Sequence, residues 1–127
     1  MEDGIGMEDN MSDDEIVMYL IVRSSLGMPK GKIAAQVGHG VQLIIRAVEA
    51  QGGPRDKLWL EEWELQSYTK LVLKADDEEF FKPRSAFGRY VVDEGRTAVE
   101  ARSRTVYAMA PMPKSRAAPY VEGLKLL

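Results

Sequence analysis

The chain has 127 residues, of which 45% are hydrophobic and 29% are charged, and it contains no cysteine. This length suits one domain with its own hydrophobic core. The lack of cysteine excludes a disulfide framework, a thiolate zinc site and a cysteine nucleophile. Because no apolar run approaches the ~18 residues of a membrane-spanning helix, we expect no membrane partner.

The charge is unevenly distributed along the chain. The formal net charge is −3, but the first fifteen residues hold seven of the 20 acidic residues and none of the 17 basic ones. The remainder therefore carries a charge of +4, which permits nucleic-acid binding without requiring it. We expect residues 1–14 to be a disordered acidic leader. They lack the features of secretory signals and transit peptides, so we expect a cytoplasmic location.

Four strands and four helices are predicted from the periodicity of apolar residues. The predicted strands are 15–23, 70–75, 89–94 and 104–110. The predicted helices are a long one with Pro29 in its first turn that ends near residue 51, then 54–65, a short one that enters at Asp77, and 114–122. Asp76 with Glu79 resembles a capping box for the third helix, and Pro83 ends it early.

The order of these elements predicts an α/β fold. Strand, helix, strand, helix, strand favours right-handed crossovers and a largely parallel sheet. The link 95–103 is too short for a helical crossover, so the fourth strand should run antiparallel. We therefore expect a single domain, residues 15–127, with a four-stranded mixed sheet flanked by helices.

The long helix carries a packing face and a polar face side by side. Its core stripe is formed by apolar residues at helical spacing, namely Ile33, Val37, Val41, Ile44 and Val48. A neighbouring face carries Lys32, Gln36 and His39. Lys30 and Lys32 stand in the first turn, where free N–H groups attract anions, so we predict a site for a phosphate or a developing oxyanion. His39 lies between two glycines, and packing is its alternative role.

The carboxyl ends of parallel strands should collect further polar residues, since ligands bind at this edge of open α/β sheets. Lys30 and Lys32 follow the first strand, residues 93–97 follow the third, and residues 103–105 open the fourth. Asp93 is the candidate general base, with ammonium and hydroxyl groups beside it for an oxyanion. Hydrolysis of an activated ester and simple phosphate binding both fit this rim.

Other kinds of site find no support in the sequence. There is no nucleophile elbow, P-loop or dinucleotide fingerprint. A single histidine without cysteine does not make a usual zinc site. We therefore expect neither a metal nor a cofactor.

Several motifs resemble those of the type II peptidyl-tRNA hydrolases, the class found in archaea and eukaryotes. They are M-Y-L-I-V-R at 18–23, K-G-K-I-A-A-Q-V-G-H at 30–39, G-R-T at 95–97 and S-R-T-V at 103–106. The resemblance covers roughly residues 17–127. It implies an α/β domain, often a homodimer, that cleaves the ester between a nascent peptide and the 3′ adenosine of its tRNA without a metal or cofactor.

The resemblance also implies which residues act. The implied catalytic residues are Lys30, Lys32, Asp93, Thr97 and Thr105. We assign the other polar residues of the rim and of the helix face to substrate binding: Gln36, His39, Arg96, Arg102, Ser103 and Arg104. The three arginines are expected to contact phosphates of the tRNA. The chain departs from the family pattern at Ala98 and at residues 100–102. A non-catalytic relative that binds tRNA, other RNA or a protein partner is therefore the alternative.

Overall fold

The computed structural model describes residues 14–95 and 98–127. Six strands occur in this part of the chain: β1 Ile16–Arg23, β2 Lys70–Ala75, β3 Gly88–Val92, β4 Arg104–Met109, β5 Met112–Pro113 and β6 Lys125–Leu126. Four α-helices accompany them: α1 Lys30–Gln51, α2 Pro54–Leu65, α3 Asp77–Phe80 and α4 Lys114–Val121. Residues 1–13 of the predicted leader, together with Arg96 and Thr97, lie outside the described residues. None of the described helices is long and apolar enough to cross a membrane.

The sheet is mixed, and its strand order is β3-β4-β1-β2-β6, with β5 beside β1. The predicted α/β domain with a mixed sheet is confirmed, and the short strands β5 and β6 bring the number of strands to six. The antiparallel course of β4 is also confirmed. The prediction of a largely parallel sheet was wrong, because β1 and β2 form the only parallel pair within the described residues.

The position of β4 explains this difference. It inserts between β3 and β1 and runs antiparallel to both. The strands β1, β2 and β3 therefore share one direction, although β3 has neither of the others as its neighbour. Their carboxyl ends still lie at one edge of the sheet, as the prediction of the functional rim requires.

The helix α1 packs closely on the sheet. Ile44 and Val48 are fully buried, and the other residues of the predicted stripe pack against the same apolar cluster. A Cβ atom at Gly40 would lie 3.2 Å from Leu20 Cδ2, which is tight, so the glycine allows α1 to approach β1 at this point. This packing fixes which side of α1 faces the end of β3.

An ion pair joins the end of β1 to the start of α3. The guanidinium of Arg23 donates to both carboxylate oxygens of Asp77, at 2.9 and 3.2 Å, and the Ser25 hydroxyl donates to Asp77 Oδ1 at 2.6 Å. These bonds, that of Arg23 first, lower the pKa of Asp77 from 3.8 to about 2. Because the pKa falls on folding, the pair stabilises the fold above pH ~4 and this contribution is lost as the pH falls towards 2.

We expect Asp77→Asn to lower the free energy of unfolding at pH 7 and to change it much less near pH 2. Urea denaturation followed by tryptophan fluorescence at both pH values measures this difference. Glu78→Gln, an exposed change in the same helical turn, is the matched control. An equal loss for Asp77→Asn at both pH values would contradict the role of the ionised pair.

Candidate active site

A cavity of about 510 Å³ lies between α1 and the end of β3. Lys32, Gln36 and His39 line it from α1, which confirms that these residues share one side of the helix. Asp93 and Ala98 line it from the segment that follows β3. The cavity therefore occupies the predicted edge of the sheet.

Asp93 is the centre of a hydrogen-bond network in this cavity. Its Oδ1 accepts from Lys32 Nζ at 2.6 Å and from Gln36 Nε2 at 3.1 Å, while Oδ2 accepts from the Gly95 N–H at 2.6 Å. The Lys32 and Asp93 side chains are only 10% and 5% exposed. An ion pair so enclosed holds the ammonium group in a defined position at the cavity wall.

The same contacts set the charge of Asp93. The hydrogen bond from Lys32 lowers its pKa below the usual value, and the opposing effect of burial is smaller. The Gly95 N–H and the electrostatic influence of Lys32 and His39 lower the pKa of Asp93 further. Asp93 is therefore a carboxylate at neutral pH and a weak proton acceptor.

Thr105 extends the network from the sheet side. Its hydroxyl donates to Gln36 Oε1 at 2.5 Å, and both side chains are buried, at 0% and 3% exposure. A bulge makes this contact possible: Val91 pairs with Val106 and Val92 pairs with Arg104, which leaves Thr105 without a partner on β3. Because of the bulge, Thr105 and Val106 both face α1, where strict alternation would send Thr105 to the other face.

Backbone hydrogen bonds join Asp93 to Arg102 and Ser103 and so close the base of the loop between them. The Asp93 N–H donates to the Ser103 carbonyl at 2.9 Å, and the Arg102 N–H donates to the Asp93 carbonyl at 2.6 Å. Gly95 has a φ of +78°, and a Cβ atom there would lie 2.4 Å from the Ala101 Cα. The glycine is therefore required both for the backbone conformation and for space.

We expect Gly95→Ala to lower kcat/KM for the reaction at this cavity about tenfold, because the loop must shift and the N–H of residue 95 leaves the carboxylate of Asp93. Gly123→Ala is the matched control, since Gly123 also has a positive φ, of +84°, but has open space around it and lines a different groove. That control should lose stability without losing activity. Equal activity of the two variants would contradict the role of the loop.

Four other predicted residues have side chains outside this network. Lys30 is exposed and borders a different groove, with Val37 and Leu127. The Arg104 guanidinium lies 5.0 Å from the centre of the Tyr90 ring, on the face of the sheet opposite α1. Arg102 is exposed and Ser103 half-buried, and both contact Asp93 through backbone atoms. The predictions for Arg96 and Thr97 concern residues outside those described.

The donor set does not resemble a metal site. In the described part of the chain, no three histidine, aspartate or glutamate side chains come together as metal ligands would. The ammonium group beside Asp93 is itself a positive charge available to an anionic group.

Comparison with known proteins identifies the family. The model of the family described as Peptidyl-tRNA hydrolase PTH2 matches residues 16–127. The chain belongs to this family. Two named peptidyl-tRNA hydrolases are similar over nearly their whole length. The one from Saccharolobus islandicus is 33% identical over 119 residues, 88% of this chain and 99% of that protein. The one from Aeropyrum pernix is 32% identical over 123 residues, 91% of this chain and 99% of that protein.

Within this PTH2 domain, the sequence prediction missed two features of the site. One is the Gly95 N–H as a partner of Asp93, although D-E-G at 93–95 carries the signal, because an aspartate often accepts from the N–H two residues later. The other is the internal role of Gln36, which joins Asp93 to Thr105. No pattern in the sequence indicates that link, since it depends on the bulge in β4.

Proposed function

We propose that this protein hydrolyses the ester bond between peptide and tRNA in peptidyl-tRNA. Membership of the PTH2 family and the names of the relatives support this activity. The observation that carries the proposal is the enclosed Lys32–Asp93 pair, which presents an ammonium group to an accessible cavity. An ester with an anionic RNA on one side needs an oxyanion donor of this kind rather than a strong nucleophile.

In the proposed reaction, water adds to the ester carbonyl and Lys32 Nζ donates to the oxygen that becomes negative. The bond from the carbonyl carbon to the ribose oxygen then breaks. The peptide leaves as a carboxylic acid, which ionises, and a proton derived from the water passes to the ribose 3′ oxygen. Lys32 is thus a catalytic residue that touches the reacting atoms.

The roles of the other predicted residues follow from their contacts. Asp93 was predicted as the general base, but its lowered pKa and its occupied oxygens favour a role in holding Lys32. Thr105 and Gln36 are buried and therefore act as positioning residues for Asp93. His39 borders the open part of the cavity and contacts substrate there.

The tRNA is held by basic side chains around the rim. Arg102 and Arg104 are exposed at the loop and at the start of β4, and we assign them, with Arg96, to phosphates of the acceptor stem. Lys30 is exposed on the first turn of α1 beside another groove, so we assign it to general attraction of the tRNA rather than to the reacting centre. Ser103 retains its sequence-based assignment to substrate binding, and Thr97 retains its assignment to catalysis. Binding through phosphates should weaken steeply with added salt.

The direct test is release of peptide from an N-acetylaminoacyl-tRNA by the full chain, measured by acid gel electrophoresis. We expect turnover with free peptide and intact tRNA as products. Binding of the same substrate without turnover would instead select the alternative, a non-catalytic RNA-binding relative. Binding to a protein partner without binding to tRNA would instead select a non-catalytic relative that acts through protein interaction.

We also propose that the protein acts in the cytoplasm, as a homodimer. An apolar groove between α1 and β6 supports self-association, since Leu126 and Leu127 are 65% and 54% exposed beside Ile33 and Val37. Light scattering of the full chain measures the assembly directly. A monomer at all concentrations would contradict it.

A further inference from the structure

A second groove, of about 550 Å³, continues from the catalytic cavity along the outer edge of β3. We call it the edge groove, and its principal lining residues are His39, Gln42, Leu43, Arg46, Tyr90 and Val92. His39 and Val92 also line the catalytic cavity, so the two spaces are continuous. A substrate held at Lys32 can therefore extend into the edge groove.

The strand that borders this groove has a free backbone edge. In the described part of the sheet, β3 pairs with β4 alone. The Phe87 carbonyl accepts from the Ala110 N–H at 2.9 Å, and the Asp93 N–H donates to the carbonyl of Ser103, the residue before β4. Phe87 and Asp93 therefore both direct their backbone groups towards the β4 side. Because backbone direction alternates along an antiparallel strand, the N–H and C=O groups of Tyr90 and Val92 face away from β4. They are available to a chain that lies in the edge groove.

We propose that the edge groove binds the last residues of the peptide moiety of the substrate as an extended strand parallel to β3. This inference rests on the proposed hydrolysis of peptidyl-tRNA. The direction follows because β3 runs towards Asp93 and the peptide must present its carboxyl end to Lys32. Addition of a strand to a free sheet edge is a common way to bind a peptide.

The length of the groove sets how much peptide it holds. From His39 to Arg46, α1 advances about 10 Å at ~1.5 Å per residue. An extended chain advances about 3.3 Å per residue, so the groove accommodates about three residues. Peptide residues further from the ester should contribute nothing to binding in the edge groove.

The chemistry of the groove fits a peptide of variable sequence. Hydrogen bonds to the backbone of β3 do not depend on the side chains of the peptide. Leu43 and Val92 are 40% and 39% exposed and offer apolar contact to any side chain of the bound strand. An RNA strand would instead need cations along its phosphates, and Arg46 and His39 are the only basic residues among those that line the groove.

Kinetics with substrates of increasing length test the proposal. N-acetylated peptidyl-tRNAs with one, two, three and five residues are hydrolysed by the full chain, and kcat/KM is measured for each. We expect kcat/KM to rise about tenfold between one and three residues, as two added hydrogen bonds would give, and then to stay level. Leu43→Gln should reduce this rise. Leu58→Gln on α2, where Leu58 is 51% exposed, is the matched control and should preserve it.

The outcomes separate this inference from the function on which it rests. Hydrolysis of the one-residue substrate without any gain from added residues would overturn the edge groove and leave the proposed function standing. Absence of hydrolysis at every length would contradict the proposed function and the inference with it.

A binding measurement identifies the occupant without catalysis. The amide resonances of Tyr90 and Val92 in the ¹⁵N-labelled full chain are followed during titration with an acetylated tripeptide methyl ester or with an acceptor-stem RNA hairpin. We expect the tripeptide ester, and not the hairpin, to shift these resonances. A shift by the hairpin alone would assign the groove to RNA and overturn the proposal.

Discussion

Replacement of Lys32 by alanine should lower kcat for peptidyl-tRNA hydrolysis by about 10²–10³-fold, the usual effect of removing one oxyanion donor. The Nζ atom is held 2.6 Å from Asp93 Oδ1 at the wall of the cavity, and Lys32 is the only lysine or arginine among the described residues that line it. Single-turnover release of peptide, with the enzyme in saturating excess over the substrate, measures this step because it separates chemistry from binding.

Lys30→Ala is the matched control for this variant. It removes the same charge two residues away, from an exposed position that borders another groove. We expect it to raise KM moderately, with a smaller effect at high salt, and to change kcat little. Equal losses of kcat in both variants would mean that general positive charge, and not the held ammonium of Lys32, drives the reaction.

Replacement of Asp93 by asparagine should lower kcat about 10²-fold, nearly as much as removal of the donor. The amide keeps the shape of the side chain but no longer supplies the negative charge that holds Lys32. Circular dichroism of the variant checks that the fold is retained, so that the loss belongs to the site.

The pH profile separates the two roles considered for Asp93. Its folded pKa lies below the usual value, so the carboxylate persists until the pH falls below about 3.8. We therefore expect no acid limb from Asp93 in kcat/KM between pH 4.5 and 7. A limb in that range that disappears in Asp93→Asn would establish Asp93 as a general base with a raised pKa and contradict our assignment.

A few rules of chain geometry suffice to predict from the sequence which residues meet at this cavity. Helical spacing placed Lys32, Gln36 and His39 together, and the rule for strand ends brought Asp93 beside them. The grouping of Lys30 with Lys32 did not hold at the cavity. Helix residues separated by two positions in sequence are ~200° apart around the axis. The side chains of Lys30 and Lys32 therefore leave α1 on opposite sides.

The internal arrangement of the site could not be predicted, because it depends on register. The segment R-T-V-Y-A-M at 104–109 alternates regularly, and nothing in it indicates that Thr105 is the extra residue of a bulge. The order of the strands in the sheet could not be predicted either. The lengths of the connections predicted an antiparallel β4, but they did not predict that β4 inserts between β3 and β1.

We infer that Lys32 and Asp93 act as one unit, and a double-mutant cycle is the decisive measurement of this coupling. The quantity measured is kcat/KM for Lys32→Ala, Asp93→Ala and the double variant on one peptidyl-tRNA. Residues that act together are not additive, so the double variant should be no slower than the slower single variant. If the two losses multiply instead, the side chains contribute independently, and the paired site described above is not the catalytic centre.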